Sequence, residues 1–280
     1  MTALESFIAA DALNLVALFG VVFIGLPHGA MDGALAMHFG WTNRPTATVL
    51  FLLWYLGLAG VVVVLWAFAP VFTFTAFLAI SIVHFGRGDS SSTVAGQTFI
   101  ESLARGGVVI GGISQLHREN VNTIFQTLVG QETSLIWLFL NGVVVLAAAC
   151  VVVALLFKDT ASRRLFVMEL GTLWLMFLVA PPLLGFALYF CFVHAVRHAS
   201  SMGALMQSTV SRFSIAKTTV VFSLLTWGVG LTVLVQQTAT MDMEPALLRV
   251  VFIGLAALTV PHMVMVDGVL HRSTSSTGRT

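Results

Sequence analysis

The chain has 280 residues, of which 58% are hydrophobic and only 9% charged, a balance that a soluble globular domain does not carry. Thirteen Lys and Arg stand against 12 Asp and Glu, and no basic run offers a nucleic acid or an acidic lipid surface an electrostatic partner. The two cysteines, Cys150 and Cys191, lie in apolar stretches as small hydrophobes, so no disulfide framework is implied.

Apolar stretches long enough to cross a hydrocarbon layer of about 30 Å recur from end to end. Breaks rich in Pro, Gly, Ser and charge predict about nine transmembrane segments, at 12–39, 47–69, 71–87, 97–114, 133–157, 164–180, 182–207, 215–237 and 246–270. The expected fold is therefore an all-α polytopic bundle, one helical domain over 1–270 with a short polar tail over 271–280. The first segment lacks a small-residue cleavage site and reads as a retained helix. The fourth carries Glu101, Arg105 and four glycines, so a re-entrant turn, leaving eight crossings, is the alternative there. Residues 115–132 fall between the fourth and fifth segments and are assigned to neither.

Nine crossings place Arg44, Arg87, Lys158, Arg163, Arg164, Arg212, Lys217, Arg272 and Arg279 on one side, and only Arg118 and Arg249 on the other. Because cytoplasmic loops are enriched in Lys and Arg, this asymmetry predicts an outside amino terminus and a cytoplasmic carboxyl terminus in a cell (inner) membrane. It also favours a crossing fourth segment.

The eight histidines divide into two sets. His38, His117 and His271 fall at segment ends or in loops, where an interfacial polar role suffices. His28, His84, His194, His198 and His262 fall inside segments one, three, seven and nine, all running in the same direction. Each lies roughly 12–16 residues from the outer end of its segment, a depth of about 18–24 Å at 1.5 Å per residue. An unpartnered polar group in lipid costs on the order of several kcal/mol, so five at one depth point to a shared function. His194 and His198 are four apart and project from one helical face, a spacing that lets both reach one cation. Imidazole-only ligation suits Zn, Cu, Fe or Ni and disfavours Mg and Ca. Asp32, one turn beyond His28, is the acid best placed to orient a ligand; Asp89 and Asp267 come five residues after His84 and His262. A site reached from the bilayer calls for an apolar, aromatic-lined cavity, and Tyr189 and Phe190, one turn before His194, are the best candidates for its wall near the metal. Met31, Met263 and Met265 are further candidates for its wall.

The stretches Gly25-Leu-Pro-His-Gly-Ala-Met-Asp-Gly33, Ser81-Ile-Val-His-Phe-Gly86 with Asp89, Ala104-Arg-Gly106, Phe192-Val-His-Ala-Val-Arg-His198 and Val260-Pro-His262 resemble, in order and spread, the Brp/Blh-type β-carotene 15,15′-dioxygenases, multi-pass membrane proteins of prokaryotes. The resemblance implies cleavage of the central double bond of β-carotene by O2, giving two molecules of retinal, at a non-haem Fe(II) held by His28, His84, His194 and His198. His262, Asp32, Tyr189 and Phe190 are then neighbours of the metal or of the substrate, and a retinal-accepting opsin is the protein partner implied. Other readings compete. A retinal-binding photoreceptor needs a mid-membrane lysine, and Lys158 and Lys217 lie at segment ends. A di-iron hydroxylase needs more histidines in clustered boxes. A haem- or metal-binding protein or transporter stays open on the histidines alone.

Overall fold

The computed structural model describes residues 3–92 and 94–276, with side chains described over 12–92 and 94–266; Asp267, His271 and the polar tail from 271 fall outside the described side chains. Twelve α-helices succeed one another: α1 (Ala3–Gly20), α2 (Asp32–His38), α3 (Pro45–Phe68), α4 (Pro70–Asp89), α5 (Ala95–Leu116), α6 (Arg118–Val129), α7 (Ser134–Phe157), α8 (Thr160–Val179), α9 (Pro182–Tyr189), α10 (Ala195–Met206), α11 (Arg212–Gln237) and α12 (Met243–Ser276). There is no strand among the described residues. A π turn (Val21–Gly25) and a 3-10 turn (Leu26–Met31) join α1 to α2 without a loop, and a second π turn (Phe190–His194) joins α9 to α10. The described chain thus forms nine long helical rods, matching the nine expected segments within a few residues at most ends, and one short extra helix.

The sequence explains where the rods begin. Pro45, Pro70 and Pro182 each occupy a first helical position, where the missing N–H would have lacked a partner anyway. Asp159 caps α8 by accepting from the amides of Ala161 and Ser162, and the Ser211 hydroxyl caps α11 by accepting from the Ser214 amide. Seven rods are long and apolar enough to cross a membrane, and their outward faces are covered with exposed Leu, Val and Phe, the composition of a lipid-facing surface. The other two are α5, with Glu101 and Arg105, and α8, with Arg163, Arg164 and Glu169.

The extra helix, α6, occupies the stretch over 115–132 where no helix is expected. Its mean composition is too polar to read as a membrane segment, yet Val121, Phe125 and Leu128 recur at helical spacing and are buried. The last carbonyls of α6 are satisfied from outside it: Trp66 donates to Leu128 O at 3.3 Å and Arg249 to Thr127 O at 2.8 Å.

The fourth segment is an unbroken helix of 22 residues, about 33 Å long at 1.5 Å per residue, which sets aside a re-entrant turn. Its glycines serve packing. A Cβ on Gly106 would lie 1.8 Å from the Ile82 carbonyl oxygen, and one on Gly86 would lie 1.9 Å from that of Ser102. The backbones of α4 and α5 therefore touch at two points one turn apart, as small residues allow in membrane bundles. On its other side α5 sets Gly107 against Ala147 and Gly111 against Val144 of α7.

The two charges of α5 are neutralised by partners. Glu101 accepts from Arg105 Nε and Lys158 Nζ, both at 2.8 Å; Arg105 reaches Glu169 at 2.5 Å; Glu169 reaches Arg197 at 2.9 Å; and Arg197 faces Asp89 at 3.3 Å. Three cations and three carboxylates alternate along this ladder.

Gly106→Val is expected to displace α5 from α4 at a cost above about 3 kcal/mol, whereas Gly142→Ala, whose added methyl meets nothing within 4 Å, should match or slightly exceed the parent. Thermal midpoint and monodisperse yield in detergent distinguish the two.

Candidate metal centre and its cavity

The five histidines assigned to one depth converge. Ring centroids are 4.8 Å apart for His84 and His194, 4.8 Å for His198 and His262, 5.1 Å for His84 and His262, 5.3 Å for His28 and His194, and 5.4 Å for His28 and His198. His84, His194, His198 and His262 are buried, while His28 is partly exposed as a residue. By contrast, His38 pairs with Thr209 and His117 with the Phe177 carbonyl, at the ends of their helices as expected.

Local backbone irregularity places two of them. His28 sits in the 3-10 turn just after the first π turn, and His194 is the last residue of the second. A π turn holds one residue more than an α turn and so re-aims the side chains beyond it; such turns are frequent at functional sites. The two π turns pack on each other: a Cβ on Gly25 would lie 2.3 Å from the Phe190 ring, and Cys191 Sγ approaches the Gly20 carbonyl at 3.3 Å. The Trp227 indole donates to the Val22 carbonyl at 3.0 Å, taking up an acceptor in the opened turn.

Hydrogen bonds fix which ring nitrogens face the centre. His28 Nδ1 is engaged by the Gly25 carbonyl at 2.5 Å, which leaves Nε2 for the cluster. His262 Nδ1 is engaged by Asp32 Oδ1 at 2.7 Å, and Tyr55 donates to Asp32 Oδ2 at 2.8 Å. Asp32 was expected to orient His28; the fold hands it to His262 instead, because it opens α2 and faces α12 and α3. His84 Nε2 and His194 Nε2 stand 3.2 Å apart, and neither His194 Nδ1 nor His198 Nε2 has a hydrogen-bond partner although both are buried.

Buried imidazole nitrogens without protein partners are costly unless something else occupies them. Ligand atoms of His28, His84 and His194, and of His84, His198 and His262, lie within 4.8 Å of one another in each triad. Imidazole nitrogens bound to one cation at about 2.0–2.1 Å can be at most about 4.2 Å apart, so each triad is already close to the spacing that one ion requires. The donor set fits a first-row transition ion, and Asp32 on His262 is the carboxylate that such ligand histidines commonly carry.

Of the remaining candidates, Phe190 lies against His28 and His194 and lines the cavity. Tyr189 does not line it: the side chain is wholly buried behind His194 and donates to Asp89 Oδ2 at 2.8 Å. Asp89 accordingly serves Tyr189 and Arg197 and bonds to no histidine. Met31 and Met265 are not in the cavity wall either; they pack with Leu35 and Tyr55 in a separate apolar cluster. Missed by sequence reasoning were Tyr55 and the cavity residues Phe85, Phe186 and Trp227. A signal existed for Tyr55, one of only two tyrosines in the chain and set amid apolar residues; both tyrosines hold a buried aspartate.

His28, His84 and His262 open onto an apolar cavity walled chiefly by Phe77, Phe85, Phe186, Phe190, Phe222 and Trp227. An open-sided metal centre facing an aromatic chamber can hold an apolar ligand beside the ion while keeping bulk water out. Asp32→Asn removes the carboxylate that holds His262 and should lower the affinity of the cluster for a divalent transition ion, measured by chelator competition; unchanged affinity would detach His262 from the centre.

The sequence model of the β-carotene 15,15′-dioxygenase family matches residues 19–269. The chain is 34% identical over 256 residues to the β-carotene 15,15′-dioxygenase of uncultured marine bacterium 66A03, covering 90% of this chain and 92% of that one. It is 30% identical over 284 residues to the probable β-carotene 15,15′-dioxygenase Blh of Halobacterium salinarum, covering 88% and 81%. No solved structure matches. The family match takes in all five clustered histidines and both π turns, and the chain belongs to the β-carotene 15,15′-dioxygenase family of carotenoid-cleaving enzymes.

Proposed function

We propose that the chain cleaves the 15,15′ double bond of β-carotene with O2, giving two molecules of all-trans-retinal, at a ferrous ion held inside the membrane by His28, His84, His194 and His198. The observation that carries this reading is the gathering of these four imidazoles with His262 into two overlapping triads that share His84, beside an aromatic cavity. A ferrous ion with four neutral imidazoles keeps coordination positions open and supplies activation of O2 next to an alkene. Both oxygen atoms enter the products, one in each aldehyde, so no external reductant is required.

The protein's own residues do the positioning. The Gly25 carbonyl fixes the tautomer of His28, and the Asp32–Tyr55 pair fixes that of His262. Phe85 lies 4.7 Å from the His194 ring and Phe190 stacks on it, so the two aromatics lock that imidazole's plane. The cavity walls hold a rigid polyene by dispersion and burial and exclude water from the reacting bond. The substrate enters from the lipid, and retinal leaves to the bilayer or to an opsin that accepts it. The excess of Lys and Arg on one set of loops supports an outside amino terminus and a cytoplasmic carboxyl terminus in the cell membrane.

Expression in cells that accumulate β-carotene should bleach them and yield retinal under air but not under nitrogen. Persistent colour with well-inserted protein would sink the reading. His194→Ala is expected to lose both iron, by elemental analysis of the purified protein, and cleavage; retained iron would move the metal elsewhere.

A further inference from the structure

A second chamber lies beyond Phe85 and Phe186, out of reach of the histidines. It shares Phe77, Ser81, Phe85 and Phe186 with the first cavity, so the two adjoin. Its other walls are apolar: Phe74 on α4, Ile110 on α5, Val121 and Phe125 on α6, Leu183 on α9 and Phe252 on α12. The Ser114 hydroxyl in it is turned back to the Ile110 carbonyl at 2.7 Å and offers a ligand little. Phe74 precedes His84 by ten residues on the same helix, so the chamber runs about 15 Å from the histidine. The first cavity extends to the opposite flank, where Phe222 and Trp227 of α11 line it; α11 packs on α2, α12 and the 3-10 turn, away from α5 and α6. The histidines thus stand between two apolar arms. The Phe85 and Phe186 rings, with centroids 6.3 Å apart, form the throat of the second arm, and passage requires them to swing aside.

Double bonds along a conjugated chain differ little in reactivity, so a cut at one of them must be set by where the molecule stops. We propose that the second chamber receives one ring-bearing half of the carotenoid, and that its end wall, Phe74, Val121 and Phe125, determines which double bond rests at the histidines. The inference rests on the carotenoid-cleaving reading above.

Val121→Phe shortens the chamber without touching a histidine. With the purified iron-loaded protein, kcat/KM for β-carotene should fall by about tenfold or more, with apocarotenals of unequal length among the products. An apocarotenal shortened on one side, which can lodge its ring toward α11 and leave the chamber empty, should be cleaved within about twofold of the parent rate, since the reacting geometry is untouched. Iron content should equal that of the parent. Equal losses for both substrates at unchanged iron, or retinal alone at the parent rate, would overturn the proposal. Phe125→Ala tests it in the opposite direction and does not depend on the first variant folding: deepening the chamber should move the cut along the polyene, and retinal as the sole product would overturn it. Failure of the parent protein to make retinal would instead strike the underlying reading.

Discussion

The contact on which the site depends is the meeting of two backbones, α4 and α5, at Gly86 and Gly106. Between lipid-soluble helices there is little hydrophobic drive, and close approach with its dispersion energy is what holds them. That contact fixes α4, and α4 carries His84, the histidine common to both triads, together with Ser81 and Phe85 of the cavity wall and Asp89 at its end. It also fixes α5, whose Glu101 and Arg105 anchor the ion-pair ladder that reaches α10 through Arg197, one residue before His198. A methyl group inserted at that crossing would move both sides of the metal centre at once.

Much of this was legible from the residues. The nine rods are set by apolar length and by prolines that start helices, and depth alone singles out the five intramembrane histidines whose rings the fold brings together. The features that escaped did so for physical reasons. α6 is too polar on average to register as a membrane segment, although its buried face is plain once Val121, Phe125 and Leu128 are seen together. The glycines of α5 looked like weakness because their benefit lies in the approach of another helix, which a single segment does not display. Asp32 was matched to His28 by assuming a regular helix, and the 3-10 turn between them breaks that assumption. Tyr189 was expected in the cavity wall because it stands close to His194 in sequence, but beyond it the chain runs into the π turn, and the tyrosine lies behind His194 and turns toward Asp89.

The two tyrosine–aspartate pairs show how the fold handles isolated carboxylates in a dry core. A lone buried charge is costly, and each pair adds a cationic or cation-facing partner: Arg197 for Asp89 and His262 for Asp32. The tyrosines satisfy the second oxygen without adding charge. The arrangement leaves Asp32, among the described residues, as the carboxylate bonded to the histidine cluster, through His262.

The ladder from Lys158 to Asp89 has a further consequence, an electrical one. Its three positive and three negative groups sum to zero. A membrane voltage does work of about 2.3 kcal/mol per 100 mV on each unit of net charge carried across the layer. A rigid unit with no net charge feels no net translational force from that field, so moving the brace behind His194 and His198 along the membrane normal involves no electrical work.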